Sequence, residues 1–242
     1  MKKPKIVLIT GGNKGIGFET ARQLGKMGYE ILIGSRNEKK GLEAVTLLEK
    51  EGIQAKSVGI DVTNPNSILF ALERIKQEYG LLDILINNAG VFLEGNITQS
   101  ELDLSILKNT YETNVFGLFS VTKAMLPLLR KSTSGRIVNL SSGLGSLTLN
   151  TDPMSEFHNV NTLAYNSSKT AVNALTVFLA KELSDSPIKI NSVCPGFTAT
   201  DLNGNSGYRS VDQAASIVVK LATINSDGPT GGFFDDEGVV PW

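Results

Sequence analysis

The sequence predicts an α/β fold, a parallel sheet with helices on both faces. Short apolar runs alternate with stretches of helical periodicity, which calls for parallel pairing through right-handed crossovers. The runs VLIT at 7–10 and ILIN at 84–87 are apolar almost throughout, as strands covered on both faces are. A glycine-rich turn lies where the first run meets the first helical stretch.

In chain order, residues 5–10 read as the first strand. Residues 16–27 carry apolar side chains at helical spacing, and Gly28 ends that helix. The second strand is 30–34, and a charged amphipathic helix over 38–51 stops at Gly52. The third strand is 55–60. Asn64-Pro65 then opens a helix reaching Tyr79, with proline in the first turn, where its missing N–H costs little. The fourth strand is 82–87, followed by a helical stretch over 110–129. The fifth strand is 136–141, a long helix covers 163–183, and the sixth strand is 188–194. A late helix at 211–222 and a seventh strand at 232–235 complete the pattern. No repeat, low-complexity linker or compositional break divides residues 1–242, so one domain is expected.

Composition narrows the function. A net charge of -1 offers no basic face of the kind nucleic acid requires. Cys194 is the one cysteine and His158 the one histidine, so neither an internal disulfide nor a Cys/His zinc site is expected, and no metal is assigned. The apolar run at 6–9 is too short for a signal-peptide core, and no window approaches the roughly 18 apolar residues of a spanning helix. The expected compartment is therefore the cytoplasm, with no membrane partner.

The strongest local signal is Thr10-Gly11-Gly12-Asn13-Lys14-Gly15-Ile16-Gly17. Glycines permit a tight turn and close approach of backbone to a pyrophosphate, whose charge the following helix N-terminus favours. The spacing is a variant of the usual fingerprint, and an ordinary turn is the alternative. The end of the second strand discriminates between cofactors. A site for a bare ribose 2′-hydroxyl has an acid there; this chain has Arg36, 19 residues after Gly17. A guanidinium suits a 2′-phosphate, and Lys14 offers a second cation, so NADPH is favoured over NADH. Asp61, after the third strand, is a candidate acceptor for the adenine amino group or a local cap.

Tyr165 and Lys169 stand at i and i+4 and share a helix face. Carbonyl reduction needs a proton donor as well as a hydride, and a free phenol with a pKa near 10 is a poor acid at neutral pH. An ammonium about 4 Å away contributes about 4 kcal/mol at an effective dielectric of about 20, enough to bring the phenol down toward about 7. Ser142 is a candidate to orient the carbonyl oxygen, or a strand-end serine capping local backbone. Asn87-Asn88-Ala89-Gly90 closes the fourth strand at the sheet edge where ligands bind, or is simply a turn. Asn114 sits in an apolar helical stretch despite its low helix propensity.

This ordered set resembles the short-chain dehydrogenase/reductase family along nearly the whole chain: TGGNKGIG at 10–17, DV at 61–62, NNAG at 87–90, Asn114, Ser142, YNSSK at 165–169 and PG at 195–196. The resemblance implies a Rossmann-type, seven-stranded, doubly wound sheet. It implies Tyr165 as general acid/base, Lys169 as its activator and ribose ligand, Ser142 aligning the carbonyl, and Asn114 holding a water that links Lys169 to solvent. It implies cofactor contacts from Gly11, Asn13, Lys14, Gly15, Ile16, Gly17, Arg36, Asp61, Val62, Asn88, Ala89, Gly90, Pro195, Gly196, Phe197 and Thr198, with Thr198 on the carboxamide. Within the family the chain is similar to the carbonyl-reductase branch, on GGNKGIG, Arg36 and the Gly231-to-Trp242 ending. That branch has an insertion between the serine and the tyrosine. Here the two lie 23 positions apart, with a short added piece around 150–161 that leaves monomer and homodimer both open. The segment 200–210 is rich in Gly, Asn and Ser and has the composition of a mobile loop, short enough to leave the pocket open to bulky carbonyls. The alternatives to an NADPH-dependent carbonyl reductase are an NAD-dependent alcohol dehydrogenase and a non-catalytic NADP sensor. Arg36 argues against the first, and the retained Tyr165 and Lys169 against the second.

Overall fold

The structure is a computed structural model describing residues 3–95 and 97–242. Seven strands form its sheet: β1 (Ile6–Thr10), β2 (Glu30–Ser35), β3 (Ala55–Gly59), β4 (Ile84–Asn87), β5 (Arg136–Leu140), β6 (Lys189–Val193) and β7 (Phe233–Phe234). Their order is β3-β2-β1-β4-β5-β6-β7, with every neighbouring pair parallel. The chain winds outward from β1 to one edge, returns to β4 and winds to the other, so the sheet is doubly wound with its reversal between β1 and β4. The expected strands are all found, and β7 shortens to two residues.

The helices are α1 (Gly15–Lys26), α2 (Glu38–Lys50), α3 (Pro65–Tyr79), α4 (Leu104–Tyr111), α5 (Leu118–Leu129), α6 (Leu147–Thr151), α7 (Leu163–Glu182) and α8 (Val211–Ala222). Strand alternation decides which face they cover. Val7 and Ile9, Ile31 and Ile33, and Ile84 and Ile86 pack with Leu24, Leu48 and Val218 of α1, α2 and α8. Leu8, Leu32 and Leu85 point the other way, into a core with Ile75, Met125 and Leu179 of α3, α5 and α7. Polar side chains start several of the helices. Asn64 accepts from Asn66 N and Ser67 N ahead of Pro65, and left-handed Gly80 closes α3. Ser210 and Gln213 cap α8 reciprocally.

Two stretches differ from expectation. The helix expected at 110–129 starts at Leu104, because Asp103 caps it by accepting from Ser105 N. It also changes to a π-helix over Glu112–Gly117, the stretch that holds Asn114, before resuming as α5. The added piece near 150–161 begins with the short helix α6, capped by Ser146. Among the described residues no helix is long and apolar enough to cross a membrane.

A chain of buried polar groups crosses the sheet just below its carboxyl edge. Asn87 Nδ2 donates to Thr122 Oγ1 and Asn139 Oδ1, both at 2.8 Å. Asn139 Nδ2 donates to Thr176 Oγ1 at 2.9 Å, and Thr176 Oγ1 meets Ser192 Oγ at 2.8 Å. Asn87, Asn139 and Ser192 are register partners on β4, β5 and β6. A one-residue slip would turn each to the opposite face and strand its polar atoms, so the chain fixes register and ties α5 and α7 to it. Replacing Asn139 by Ala should lower the unfolding free energy by about 1–3 kcal/mol in urea titrations. An unchanged midpoint would mean that the chain contributes nothing.

Candidate active site

The carboxyl edge at the β1/β4 reversal is built from two motifs that hold each other. Asn88 Nδ2 donates to Thr10 O and Gly11 O at 2.8 and 3.1 Å, while Thr10 Oγ1 accepts from Asn88 N and Ala89 N, both at 3.1 Å. Gly17 is required for this, since a Cβ there would lie 2.5 Å from Asn88 Nδ2. Gly15 takes φ +58, the left-handed turn into α1. The side chain of Asn88, expected to border a cofactor, is thus spent on pinning the glycine turn. α1 itself starts at Lys14 with no side-chain cap and no acid in its first turn, leaving its N–H groups open to an anion.

Arg36 is exposed just past β2 and makes no ion pair among the described residues. Lys14 differs from expectation. It is paired with Asp201 at 2.8 Å, both side chains exposed, because a carboxylate stands across the turn from it. Asp61 Oδ1 accepts from Thr63 N and Thr63 Oγ1 at 3.0 and 2.8 Å, a local turn, while Asn64 caps the following helix. Val62 is buried against the π-helical stretch, where a Cβ on Gly117 would come within 2.8 Å of it.

Tyr165 and Lys169 meet on one face of α7, with Nζ 5.4 Å from the phenol ring centroid. Lys169 Nζ donates to Leu140 O at the end of β5 at 2.8 Å. Ser141 is buried and its hydroxyl donates to Lys169 O at 3.3 Å. Ser142 is partly exposed, and its Oγ accepts from Leu144 N at 3.2 Å, which leaves its own proton free. Asn114 Oδ1 accepts from Val91 N at 2.8 Å, and its Nδ2 donates to Val91 O and Ser168 Oγ. Its side chain is a clamp between the loop after β4 and α7. A Cβ on Gly90 would sit 3.4 Å from Asn114 Oδ1 and 3.7 Å from Lys169 Nζ, so the three converge.

The electrostatics correct one expectation. Surrounding protein raises the Tyr165 phenol above its ordinary value, with Cys194 adding to the rise. The same burial pushes Lys169 down to about 8. An ammonium that is itself close to losing its proton, and that is hydrogen-bonded to a carbonyl, does not offset the desolvation of the phenol. Cys194 is also raised by burial, although N–H groups of Gly196 and Gly143 favour its thiolate.

The loop after β6 folds back over the glycine turn. Gly196 takes φ +73, and buried Thr198 donates to Pro195 O and Gly196 O. Its hydroxyl is therefore occupied within its own loop. Asn203 Nδ2 donates to Thr198 O, and Asn205 N to Thr200 O. The segment read as a mobile loop thus carries its own hydrogen bonds and a turn at Asp201–Asn203. Exposed Phe197 stacks edge-on with Tyr208 at 6.0 Å. Phe92 stands edge-on to Tyr165 at 5.4 Å, and Phe157 fills the space beside Gly143. His158 Nδ1 lies 3.1 Å from Asn150 O, a loop contact as expected.

Sequence reading missed Phe92, Phe157, Asp201 and Glu94. Glu94 accepts from Ala164 N and Tyr165 N across some seventy residues of chain, and no local pattern signals such a contact.

A family model described as short chain dehydrogenase matches residues 5–209. A (+)-neomenthol dehydrogenase of Arabidopsis thaliana is 35% identical over 292 residues, covering 98% of this chain and 97% of its own. Carbonyl reductase [NADPH] 1 of Mus musculus is 31% identical over 276 residues, covering 98% of each. The structure of NADPH-bound carbonyl reductase from chicken fatty liver superposes with a TM-score of 0.86 at 25% identity, covering 100% of both chains.

The Lys169 amine gives the site a pH signature. In the unfolded chain it holds its proton to about 10.5, but in the folded protein only to about 8. Unfolding therefore takes up a proton between these values, and this group's contribution to stability rises with pH across the window. The stability difference between the parent and Lys169→Met should shift in the parent's favour from pH 8 to pH 10 in denaturant titrations. A constant difference would show that the amine is not desolvated.

Proposed function

Since the chain belongs to the short-chain dehydrogenase/reductase family, in its carbonyl-reductase-like branch, we propose that this oxidoreductase reduces ketones and aldehydes with NADPH, Tyr165 giving the proton. The observation that carries the reading is the meeting of Tyr165 and Lys169 on one face of α7, with Lys169 Nζ held to the end of β5, two residues before the Ser142 hydroxyl, which has its proton free.

The residues fit a nicotinamide dinucleotide. The uncapped start of α1 and the glycine turn suit its pyrophosphate. Arg36 suits a 2′-phosphate, and Lys14 joins it on leaving Asp201, an exchange between exposed partners that costs little. The remaining motif residues, Asn13, Ile16, Ala89 and Pro195 to Thr198, complete the expected surround. When bound, the cofactor supplies the hydride. The mouse relative is named for NADPH and the chicken carbonyl reductase is NADPH-bound, which supports the phosphorylated form.

The chain's own residues do the rest. Ser142 donates to the carbonyl oxygen and holds it beside the phenol. Tyr165 protonates that oxygen as negative charge develops on it. Lys169, with a pKa of about 8, is suited to hand a proton back to the phenolate. Asn114 keeps the loop after β4 and α7 in register around both. Phe92, edge-on to the Tyr165 ring, is an aromatic neighbour suited to a cyclic or aromatic ketone.

Consumption of NADPH and NADH, followed by their absorbance across a panel of aliphatic, aromatic, quinone and cyclic terpenoid carbonyls, tests the reading. Turnover should favour NADPH, and Tyr165→Phe should lose it while still binding the cofactor. A variant that keeps turnover would sink the assignment of Tyr165, and a parent inactive on the whole panel would sink the carbonyl-reductase reading.

A further inference from the structure

The helix that carries Tyr165 and Lys169 has no cap of its own. Thr162 stands at its N-cap, yet its hydroxyl donates to Asn166 Oδ1 at 2.6 Å and accepts nothing from the first turn. The cap comes from elsewhere. Glu94, only 6% exposed, accepts from Ala164 N through Oε2 at 3.0 Å and from Tyr165 N through Oε1 at 2.6 Å. A carboxylate on two free N–H groups at the positive end of a 20-residue helix is a charge-assisted, two-point contact that fixes direction as well as distance.

Glu94 belongs to the loop that follows β4, and that loop is anchored on its other side. Asn114 clamps Val91 through both its backbone N and O, and Phe92 packs edge-on against the Tyr165 ring. Residues 91–94 thus span from the π-helical stretch to the backbone amide of Tyr165.

We infer that Glu94 is a positioning residue for the reaction proposed above, setting the first turn of α7 so that the Tyr165 phenol faces the substrate oxygen. It touches neither substrate nor cofactor and acts through the backbone of Tyr165. Gln in its place keeps one acceptor but presents an NH2 group to the second N–H, so the two-point contact is lost. Because the reaction requires the phenol in line with the carbonyl, a small rotation of the first turn is enough to cost turnover.

The test separates positioning from capping. Glu94→Gln should lower kcat for ketone reduction by about 10- to 100-fold, leave the NADPH dissociation constant unchanged, and speed amide exchange in the peptide that spans 163–166. Adding Thr162→Asp restores a carboxylate to the same N–H groups from within α7, without the tether to the 91–94 loop. In this double variant, Tm and exchange protection should recover while kcat stays low. Recovery of kcat together with Tm would mean that Glu94 only caps the helix, and an unchanged kcat in Glu94→Gln would overturn the inference outright. If Glu94→Gln fails to fold, the double variant, again capped, carries the same comparison. Inactivity of the parent itself is a different result and counts against the carbonyl-reductase reading, while the exchange measurement still reports whether Glu94 holds the first turn.

Discussion

Where α7 lies against the carboxyl edge decides the rest of the site. It lies close because Gly145 has no side chain: a Cβ there would sit 2.7 Å from the carbonyl carbon of Lys169. Thr170 Oγ1 then reaches Gly145 O at 2.9 Å, and Lys169 Nζ reaches back to the end of β5. Farther along, Thr176 enters the buried polar chain that fixes β4, β5 and β6. At the N-terminal end the helix is held by Glu94 and, through Ser168, by Asn114. Sheet register, helix packing and the placement of the phenol are one mechanical problem, solved along a single helix.

The same packing sets the electrostatics. A phenol and an amine held in dense protein are both pushed toward their neutral forms, so Tyr165 rises and Lys169 falls. Such a pair is a weak acid beside a weakly held proton. It becomes a useful acid when positive charge arrives next to the phenol and stays there. Under the proposed mechanism that charge would develop on the nicotinamide ring as it gives up its hydride, so acid strength would rise with hydride transfer and not with the binding of the neutral reduced ring. A site that strengthens its acid as the hydride leaves does not need a permanently shifted tyrosine.

Much of the fold and part of the site are legible in the sequence alone. The alternation of apolar runs and helical periods gives the doubly wound sheet, because strands buried on both faces leave little choice of partner. Gly11, Gly15 and Gly17, Tyr165 with Lys169, and Ser142 are readable since each motif is local in sequence and sits at a strand end. The π-helical stretch at Asn114 and the start of α4 are not, although Asp103 offers a cap signal. What stays illegible depends on distant pairs. Glu94 on Tyr165, Asp201 on Lys14 and Phe157 on Gly143 each join loops whose mutual approach follows only from the folded chain. Asn88 is readable as important, but its hydrogen bonds inward to the glycine turn are not, because they join loops distant in sequence.

The most direct test of the linked acid is the ionisation of the Tyr165 phenol itself. Ultraviolet difference titration of the parent against Tyr165→Phe isolates that one group, first in the free protein and then with NADP+ bound. In the free protein its midpoint should lie above the ordinary 10.0. In the complex it should fall well below that value, since the oxidised form carries the positive charge. A midpoint that is the same in both states, or one already low in the free protein, would contradict the link between positive charge on the nicotinamide and a stronger acid.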